Sequence, residues 1–529
     1  MNKILEVKNL TLKIKEKTLL DYISFNIKEG EIFALVGESG SGKSLTSLAI
    51  IRLLPETIKI IKGDISLKEK SLFNLTEIEM QSIRGKSIAM IFQEPMTALN
   101  PVITIGEQVA EVIRLHLNLK EQEIKRRVID LFNEVGIKEA KRRYNSYPHQ
   151  LSGGQKQRVV IAMALACEPT LLIADEPTTA LDVTIQAQVL KLLKEIQKKR
   201  ALSILFITHD MGVVAQMADR IAVMRYGKIV EESKRDSFFI NPKHPYTKQL
   251  LKDVRVEKRD NSISNTKELL VIKDLKVYFP IKKGIFQRVV GYTKAVNGVS
   301  LSIPKGKTLA LVGESGSGKS TIGSAVLRLL DIAGGEILFN GTDIAKLSQK
   351  ELRAYRKKIQ IVFQDPYSAL NPRMSIGEII REGMVSLKVG SKDKNIQNRA
   401  IEELLVKVGL EKEHFNRYPH EFSGGQRQRI GIARALAVKP KLIICDEPTS
   451  ALDVSVRSQV LKLLKRLQKE EGLSYLFITH DLSIVPAISD MVAVMKDGKI
   501  VEQGRVDEVM REPKEAYTKK LLSSAPKLP

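Results

Sequence analysis

The sequence predicts an α/β protein built from two homologous domains in tandem. Two observations predict this fold class. Nearly the same text occurs twice along the chain, and within each copy short apolar runs alternate with stretches of helical periodicity. The repeat distance of about 270 residues is far too long for a solenoid and suits a duplicated domain.

Five segments carry the duplication. ALVGESGSGKS at 34–44 returns at 310–320, and LFITHD at 205–210 returns at 476–481. The other three pairs are IFQEPMTALNP (91–101) with VFQDPYSALNP (362–372), YPHQLSGGQKQR (147–158) with YPHEFSGGQRQR (418–429), and LLIADEPTTALDV (171–183) with LIICDEPTSALDV (442–454). The polar stretch 256–268 lacks hydrophobic periodicity and is the natural linker. We therefore predict a first domain at 1–255 and a second at 269–529.

Within each copy the elements follow the same order, which the first copy illustrates. The stretches 5–14 and 24–32 alternate apolar and polar residues, which predicts antiparallel strands. Residues 31–37 form an apolar run that enters a glycine turn and then a helix. The amphipathic stretch 107–142 has no strand signal, which predicts an inserted helical subdomain. Two continuous apolar runs are typical of parallel strands covered on both faces, namely 171–175 and 203–207.

Composition excludes several classes of protein. Hydrophobic residues make up 43% and charged residues 28% of the 529, which are globular values rather than those of a disordered chain. The two cysteines, Cys167 and Cys445, cannot form a disulfide framework. We find no run of about 18 uninterrupted apolar residues and no secretory signal, so we expect a cytosolic chain without a membrane span.

The chain is strongly basic, with 85 Lys and Arg against 61 Asp and Glu and a net charge of +24. Such a surplus suits nucleic acid, an anionic membrane surface, or solvated helix faces alone. Mixed-sign segments such as 191–200 favour solvated faces. Because Trp is absent and aromatic residues are 5%, we expect no stacking platform for single strands and no nucleic-acid partner.

The segment GESGSGKS matches the pattern G-x-x-x-x-G-K-[ST] twice, each time between a strand and a helix. Its glycines let consecutive N–H groups surround phosphate oxygens, and the helix start adds partial positive charge. Lys43 and Lys319 would reach the β- and γ-phosphates. The predicted nucleotide-binding residues of these loops are Gly37, Glu38, Ser39, Gly40, Ser41, Gly42, Lys43, Ser44, Gly313, Glu314, Ser315, Gly316, Ser317, Gly318, Lys319, Ser320 and Thr321.

Polar residues end the hydrophobic strands in both copies. In phosphoryl transfer an aspartate at such a place holds Mg²⁺, and a glutamate orients or deprotonates the attacking water. A histidine there is often structural, but strand ends in open α/β sheets line the ligand crevice, where it can bond a γ-phosphate. Beside a phosphate loop we interpret Asp175 and Asp446 as Mg²⁺ ligands rather than helix caps, and the predicted catalytic residues are Glu176, Glu447, His209 and His480. For His149 and His420 we favour a packing role.

Ser-Gly-Gly followed by a helix is a second anion-binding helix start in each copy. One domain does not need two phosphate cradles for one nucleotide. The economical arrangement is head-to-tail pairing of the two domains within the molecule, with each ATP between the loop of one domain and the SGGQ segment of the other. The residues of these segments are Ser152, Gly153, Gly154, Gln155, Ser423, Gly424, Gly425 and Gln426.

The ordered set of GxxxxGK[ST], the glutamine of FQ, SGGQ, the strand ending in DE, ALD and TH closely resembles the ATP-binding-cassette (ABC) ATPases over essentially the whole chain. The resemblance implies two RecA-like P-loop domains, each with an antiparallel β subdomain and an inserted α-helical subdomain. By the same resemblance Asp182 and Asp453 communicate between the two ATP sites, while Gln93 and Gln364 sense the γ-phosphate and link to a membrane partner. The expected Mg²⁺ ligands are then Ser44, Gln93, Asp175, Ser320, Gln364 and Asp446.

The subfamily follows from further segments. QEPMTALNP, QDPYSALNP and the tails HPYTKQLL (244–251) and AYTKKLL (516–522) are similar to those of oligopeptide and dipeptide importer ATPases. Two fused halves, with FPIKKGIFQRVV (279–290) opening the second, closely resemble the fused ATPases of Yej-type importers of microcin C and oligopeptides. Related nickel, glutathione and antimicrobial-peptide systems share much of the pattern.

The resemblance implies an ATPase that uses ATP and Mg²⁺ to energise import of peptides or peptide-like solutes. Its implied partners are two transmembrane permease subunits and a periplasmic solute-binding protein, and its implied place is the cytoplasmic face of the bacterial inner membrane. The alternative is a soluble tandem cassette acting on ribosomes, which the charge invites but which carries a long basic helical linker.

Many cassettes stack adenine on an aromatic residue that precedes the glycine loop. Phe279, with Tyr278 beside it, lies near that place in the second domain, whereas Ile14 stands there in the first. We therefore predict that the site built on Lys43 binds ATP more weakly than the site built on Lys319.

Overall fold

The structure is a computed structural model that describes residues 2–93, 98–178, 181–254, 267–284, 286–450 and 452–525. The chain divides into two compact units, Met1–Val254 and Arg255–Ala525. Most of the predicted linker, at 256–266, lies outside the described residues. Its last residue, Glu268, is the first residue of a strand of the second unit, so the regular fold begins one residue before the predicted boundary.

The first unit contains two sheets. Its strands are β1 (Lys3–Ile14), β2 (Lys17–Lys28), β3 (Ile32–Val36), β4 (Ile58–Leu67), β5 (Lys70–Ser71), β6 (Ile88–Ile91), β7 (Leu171–Asp175), β8 (Ser203–Thr208), β9 (Arg220–Arg225) and β10 (Lys228–Lys234). An antiparallel sheet has the order β2-β1-β4-β5, and a six-stranded sheet has the order β10-β9-β3-β8-β7-β6. In the larger sheet β10 alone runs antiparallel to its neighbour.

Helices cover the larger sheet and form an inserted helical subdomain. They are α1 (Lys43–Ile50), α2 (Glu77–Ile83), α3 (Ile105–His116), α4 (Glu121–Glu134), α5 (Ala140–Arg143), α6 (Gly153–Leu165), α7 (Val183–Arg200), α8 (Met211–Met217), α9 (Arg235–Ile240) and α10 (Pro245–Val254), with a 3₁₀ turn at Pro148–Gln150. The inserted subdomain is α3, α4 and α5, which confirms the helical prediction for 107–142.

The second unit repeats this architecture. Its strands are β11 (Glu268–Lys283), β12 (Arg288–Pro304), β13 (Thr308–Val312), β14 (Gly334–Phe339), β15 (Thr342–Asp343), β16 (Ile359–Val362), β17 (Leu442–Asp446), β18 (Ser474–Thr479), β19 (Met491–Lys496) and β20 (Lys499–Arg505). The sheet orders are β12-β11-β14-β15 and β16-β17-β18-β13-β19-β20. The predicted α/β class with two equivalent folds is therefore confirmed.

The helices of the second unit match those of the first in order. They are α11 (Lys319–Val326), α12 (Gln349–Arg356), α13 (Ile376–Ser386), α14 (Lys394–Lys407), α15 (Gly424–Leu436), α16 (Val454–Glu471), α17 (Val485–Ile488), α18 (Val506–Arg511) and α19 (Ala516–Ser524), with 3₁₀ turns at Lys412–Asn416, Pro419–Glu421 and Leu482–Ile484.

The central strands form the core of each unit because helices pack on both of their faces. Every residue of β3 and β8 is buried, and the same is true of β13 and β18. Such strands have no solvent face, which explains why their sequences are continuous apolar runs rather than alternating ones. Their carboxyl ends open on one edge of the sheet, where the predicted site residues follow.

One predicted strand is divided by a turn. The stretch 24–32 contains the end of β2 and the first residue of β3, not a single strand. Gly30 lies between them with a φ of +68°, a left-handed conformation that glycine adopts without steric cost and that ends the extended run.

The hairpin of the antiparallel sheet is longer in the second unit. Ile14 pairs with Lys17 across a tight turn, whereas the equivalent pair is Phe279 and Thr293. Pairing with the next strand fixes this equivalence. Leu5 pairs with the last residue of β4, and Leu270 pairs with the last residue of β14. Ile14 and Phe279 each lie nine positions after these leucines. Phe279 therefore stands at the position that Ile14 holds in the first unit.

Candidate active sites

The phosphate loop in each unit joins a buried strand to a helix. Lys43 is buried, and its Nζ donates to the carbonyls of Gly37 and Glu38 at 2.8 Å each. In the second unit Lys319 donates to the carbonyls of Gly313 and Glu314 at 2.9 and 2.8 Å. The ammonium group is therefore held inside the curl of the loop in both units, with the helix start beside it.

The glycine before each lysine has a positive φ and close neighbours on the antiparallel sheet. Gly318 has a φ of +105°, and a Cβ there would lie 2.2 Å from the carbonyl oxygen of Ala295 on β12. Gly42 has the same conformation, with φ +106°, and a Cβ there would lie 2.4 Å from Leu20 Cδ2 on β2. The antiparallel sheet thus packs directly against the phosphate loop in each unit.

Asp175 and Asp446 end their strands beside the loop serine of the same unit. Ser320 Oγ donates to Asp446 Oδ1 at 2.8 Å. Burial raises the pKa of both carboxyls, and the charge of the adjacent glutamate raises it further, while the loop serine hydroxyl opposes the shift. Asp175 Oδ1 is buried without a hydrogen-bond partner.

These features suit a hard divalent cation. A carboxylate and a hydroxyl at one point are oxygen ligands of the kind Mg²⁺ prefers, and a cation would stabilise the buried charge that desolvation disfavours. The residues present therefore fit Mg²⁺ in both units.

Glu176 and Glu447 follow the aspartates with strained backbones. Their φ angles are +48° and +45°, in the left-handed region that residues other than glycine rarely adopt. Each N–H continues the strand ladder by donating to the next strand, at Ile207 and Ile478, over 2.9 Å. Strain of this kind clusters at functional sites, and here it turns each glutamate away from its strand.

Each glutamate is hydrogen-bonded by a glutamine and a histidine. Gln93 Nε2 donates to Glu176 Oε2 at 3.0 Å, and His209 Nδ1 lies 2.9 Å from Oε1 of the same carboxylate. In the second unit Gln364 Nε2 and His480 Nδ1 lie 2.9 and 3.0 Å from Glu447 Oε2. In each unit the structure therefore brings two predicted residues, distant in sequence, to the carboxylate of a third.

The charges of Glu447 and His480 support one another. Burial raises the pKa of Glu447, but the hydrogen bond and charge of His480 outweigh it and lower the pKa. Burial lowers the pKa of His480, and Glu447 outweighs it and raises the pKa. The pair stabilises the fold at pH values between the lowered pKa of Glu447 and the raised pKa of His480. That stabilisation is lost as pH falls through the pKa of Glu447 or rises through the pKa of His480.

The SGGQ segments begin α6 and α15 with reciprocal caps. Ser152 Oγ accepts from the N–H of Gln155, whose Oε1 accepts from the N–H of Ser152, and Ser423 and Gln426 repeat the arrangement. This capping box satisfies donors that would otherwise be unpaired at a helix start. The hydrogen bonds described for both serines stay within their own helix start.

The two glycines of each SGGQ segment differ in their surroundings. A Cβ on Gly154 would lie 2.6 Å from Ile185, and one on Gly425 would lie 2.2 Å from Val456, so close packing requires both glycines. A Cβ on Gly153 or Gly424 would meet only a leucine at 4.0 or 3.8 Å, which is ordinary contact. Packing inside the unit therefore does not explain glycine at these exposed first positions.

The remaining predicted residues occupy helix starts and turns. Asp182 caps α7 by accepting from the N–H of Ile185 at 2.9 Å, whereas Asp453 precedes α16 without a side-chain cap of this kind. His149 and His420 are exposed, contrary to the expected packing role, and each ring stacks on the tyrosine two positions before it. Part of the QEPMTALNP segment, at 94–97, lies outside the described residues.

Both units match the same family model. The ABC transporter model matches residues 20–179 and 296–450, which together exceed half of the chain. The chain belongs to the ATP-binding-cassette ATPases. The predicted family is thus confirmed, and ATP hydrolysis is the activity of this ABC protein. A second model, the C-terminal region of oligopeptide/dipeptide transporters, matches residues 230–269 and 501–529 at the end of each cassette unit.

Full-length relatives are similar along the whole ABC chain. It is 46% identical to the peptidoglycan transport ATP-binding protein YejF of Agrobacterium fabrum, over 99% of this chain and 96% of that one. It is also 46% identical to the glutathione import ATP-binding protein GsiA of Escherichia coli K12, over 99% and 89%. A solved dimeric bacterial ABC transporter cassette is 29% identical, with a TM-score of 0.41 over 45% of this chain and 98% of that one.

Two tyrosines near the phosphate loops were not among the predicted residues. Tyr517 Oη accepts from the N–H of Glu314, and Tyr246 is buried with its hydroxyl beside Glu38. Both lie in the C-terminal region that the second family model matches. The signal in the sequence is the recurrence of Tyr-Thr-Lys in both tails, which points to a shared role without naming the partner.

Proposed function

We propose that this chain is the ATP-hydrolysing subunit of an importer for peptides or peptide-like solutes, microcin C-like compounds included. The C-terminal regions of the oligopeptide/dipeptide type in both units support the solute class. The relatives are named for peptidoglycan transport and glutathione import, and both names describe peptide-containing solutes. The charge-based ribosomal alternative is not favoured by any of these similarities.

The observation that carries the catalytic proposal is the carboxylate bonded by glutamine and histidine at the carboxyl edge of each sheet. In the proposed reaction Glu176 or Glu447 accepts a proton from water as the water oxygen attacks the γ-phosphorus of ATP. The bond from that phosphorus to the bridging oxygen breaks, giving ADP and phosphate. The histidine holds the carboxylate in place and donates toward the γ-phosphate, and the loop lysine stabilises negative charge on the phosphates.

Mg²⁺ is the proposed cofactor. Ser44 with Asp175, and Ser320 with Asp446, would hold it in the two units, with Gln93 and Gln364 completing its surroundings. When bound, such an ion neutralises charge on the phosphate oxygens that are transferred. Asp175 Oδ1, buried without a hydrogen-bond partner, is the feature of this chain that most directly supports the proposal.

We propose that the two units pair head-to-tail, so that each ATP lies between the phosphate loop of one unit and the SGGQ segment of the other. Supporting this, Gly153 and Gly424 are exposed at a helix start and are not required by packing in their own unit. A helix start without a side chain leaves room for a close anionic ligand. Asp182 and Asp453 would then transmit closure between the two sites.

The proposed partners are two transmembrane permease subunits and a periplasmic solute-binding protein, with this chain at the cytoplasmic face of the bacterial inner membrane. Among the residues that the structure describes, no helix is long and apolar enough to cross a bilayer. An open, mostly apolar groove of about 260 Å³ adjoins the glutamine in the first unit, with Leu53, Phe92, Val112 and Met163 in its lining. An apolar segment of a permease would suit this groove, and Gln93 would report its movement.

Capture of the tagged chain tests the importer proposal. From detergent-solubilised membranes of its own organism, we expect two multi-span membrane proteins to co-purify in stoichiometric amounts. Ribosomes purified from the same cells should not retain the chain on sedimentation. Co-sedimentation with ribosomes, with no membrane subunit captured, would instead support the soluble alternative.

The two ATP sites should differ in affinity. Phe279 is 40% exposed and pairs across the hairpin with Thr293, two residues before Ala295, which lies against Gly318. Ile14, at the equivalent position of the first unit, offers no aromatic face. Stacking contributes about 1–3 kcal/mol per base, and 1.4 kcal/mol is tenfold in affinity. We expect the site of Lys43, measured in a Lys319→Ala variant, to bind ATP several-fold more weakly than the site of Lys319, measured in Lys43→Ala.

Exchange of the two residues provides the control. Ile14→Phe should strengthen ATP binding in the Lys319→Ala chain, and Phe279→Ile should weaken it in the Lys43→Ala chain. Fluorescence titration with an ATP analogue measures both. Equal affinities in the two parent variants would contradict the predicted asymmetry.

A further inference from the structure

The end of each cassette unit packs against its own phosphate loop. We call residues 230–254 the first tail and 501–525 the second tail; both lie within the regions matched by the oligopeptide/dipeptide transporter model. Apolar residues of each tail share a cluster with the last residue of the strand that enters the loop, Val36 in the first unit and Val312 in the second. The tails are therefore placed to influence the loop.

A carboxylate fixes the helix of each tail. Glu231 accepts from the N–H groups of Lys243 and His244 at 2.9 Å each, at the start of α10. Glu502 does the same for Lys514 and Glu515 at 2.8 and 3.2 Å, before α19. Burial raises the pKa of each glutamate, but the backbone hydrogen bonds oppose this effect, and the net result is a lowered pKa. The start of each tail helix is thus anchored to the edge strand of its sheet.

Anchoring places a tyrosine of the second tail on the phosphate loop. Tyr517 Oη accepts a hydrogen bond from the N–H of Glu314 at 3.3 Å. The carbonyl of Glu314 accepts from Lys319 Nζ at 2.8 Å and from the N–H of Ser317 at 3.2 Å. One residue of the loop therefore connects the tail hydroxyl to the ammonium group expected to contact phosphates.

The first tail has a tyrosine at the equivalent position, Tyr246, with a weaker contact to its phosphate loop. Tyr246 is buried, the guanidinium of Arg225 lies 4.5 Å above its ring, and its hydroxyl has no hydrogen bond of normal geometry. Burial, with the charge of Glu38 as a smaller cause, raises the pKa of Tyr246 to about 12. The hydroxyl faces the backbone of Glu38 as that of Tyr517 faces Glu314, but it lies outside normal hydrogen-bond geometry.

We propose that Tyr517 is a positioning residue for ATP binding, which restrains Glu314 and through it Lys319, so that the second tail sets the affinity of its unit for ATP. The inference rests on the proposed nucleotide-binding role of these loops and not on the transported solute. Tyr246 is the equivalent residue of the first unit, and we expect a smaller effect there because its hydroxyl approaches Glu38 outside normal hydrogen-bond geometry.

Tyr517→Phe tests the proposal, because it keeps the ring and removes the hydroxyl. In a Lys43→Ala chain, where the second site alone is titrated, we expect ATP to bind about three- to tenfold more weakly, the loss that follows one hydrogen bond. In the otherwise unchanged chain, KM for ATP should rise while kcat stays within about twofold. Tyr246→Phe in a Lys319→Ala chain should change ATP affinity by less than about twofold.

Tyr475→Phe is the matched control. Its buried hydroxyl donates to the carbonyl of Leu464 at 3.0 Å, at the end of β18 opposite the loop, so its loss should lower the melting temperature without changing ATP affinity. The proposal is overturned if Tyr517→Phe leaves ATP affinity unchanged, or if affinity, kcat and melting temperature all fall together as for a general loss of structure. If the Lys43→Ala chain itself binds no ATP, the proposed nucleotide-binding role of the second loop is wrong. Titration of that chain shows this before any tyrosine is substituted.

Discussion

A chain that carries both Glu176→Gln and Glu447→Gln is expected to bind ATP and to hydrolyse it at least about a hundredfold more slowly than the unchanged chain. The substitution keeps the size of each side chain and its hydrogen bond from Gln93 or Gln364, but it removes the proton acceptor. Because the phosphate loops are unaltered, ATP affinity should stay within a few-fold. Phosphate release measures the rate, and titration with a labelled ATP analogue measures the affinity.

Glu134→Gln is the matched control for this pair. Glu134 is largely buried and pairs with Arg200, so its substitution also removes a partly buried charge, but near the amino end of β8, away from the carboxyl end of β7 that precedes Glu176. It should leave the hydrolysis rate unchanged. If the double variant hydrolyses ATP at the rate of the control, the glutamates are not the bases, and the carboxylate held by glutamine and histidine has another role.

The sequence predicts features that need only contiguous residues. A phosphate loop, a capped helix start and a buried parallel strand each leave a local pattern, and the duplication shows every pattern twice. For that reason the fold class, the loops and the residues around Glu176 and Glu447 could be named before the structure. The sequence aligns Phe279 with Ile14 only approximately, because the hairpin of the second unit is longer, and strand pairing fixes the register.

Other features depend on the folded chain. Tyr517 meets Glu314 across 203 positions of sequence, and no spacing rule connects them. The backbone of Glu176 contradicts a local rule, since a residue before proline favours an extended conformation, yet this one is left-handed at +48°. The strand ladder on one side and the hydrogen-bonded side chain on the other hold that conformation, and neither can be inferred from Asp-Glu-Pro alone.

Gly153→Asp together with Gly424→Asp is expected to slow ATP hydrolysis by more than about a hundredfold while each unit remains folded. Within its own unit each change is benign, because a Cβ there meets only a leucine at ordinary contact distance. An aspartate in the first turn of a helix is favourable by about 0.3–1 kcal/mol, so the melting temperature should be unchanged or raised. Contacts within each unit therefore predict no loss of stability or of hydrolysis.

Head-to-tail pairing predicts the opposite for activity. If each SGGQ helix start faces the phosphates of ATP bound to the other unit, two carboxylates would meet anionic oxygens, and like charges placed together cost several kcal/mol. Hydrolysis should fall by more than about a hundredfold. ATP binding to the open units should persist, since neither phosphate loop has changed. Steady-state hydrolysis, ATP titration and thermal unfolding of the same preparation separate these effects.

Two alanine substitutions distinguish charge from packing. Gly424→Ala adds only a methyl group at ordinary contact distance from a leucine and should reduce hydrolysis far less than Gly424→Asp. Gly425→Ala forces a Cβ to within 2.2 Å of Val456 and should lower the melting temperature, because the clash is internal to the unit. Full hydrolysis by the double aspartate chain would mean that these helix starts never approach a nucleotide. Each unit would then have to supply a complete reaction centre by itself, and the exposed glycines would need another explanation.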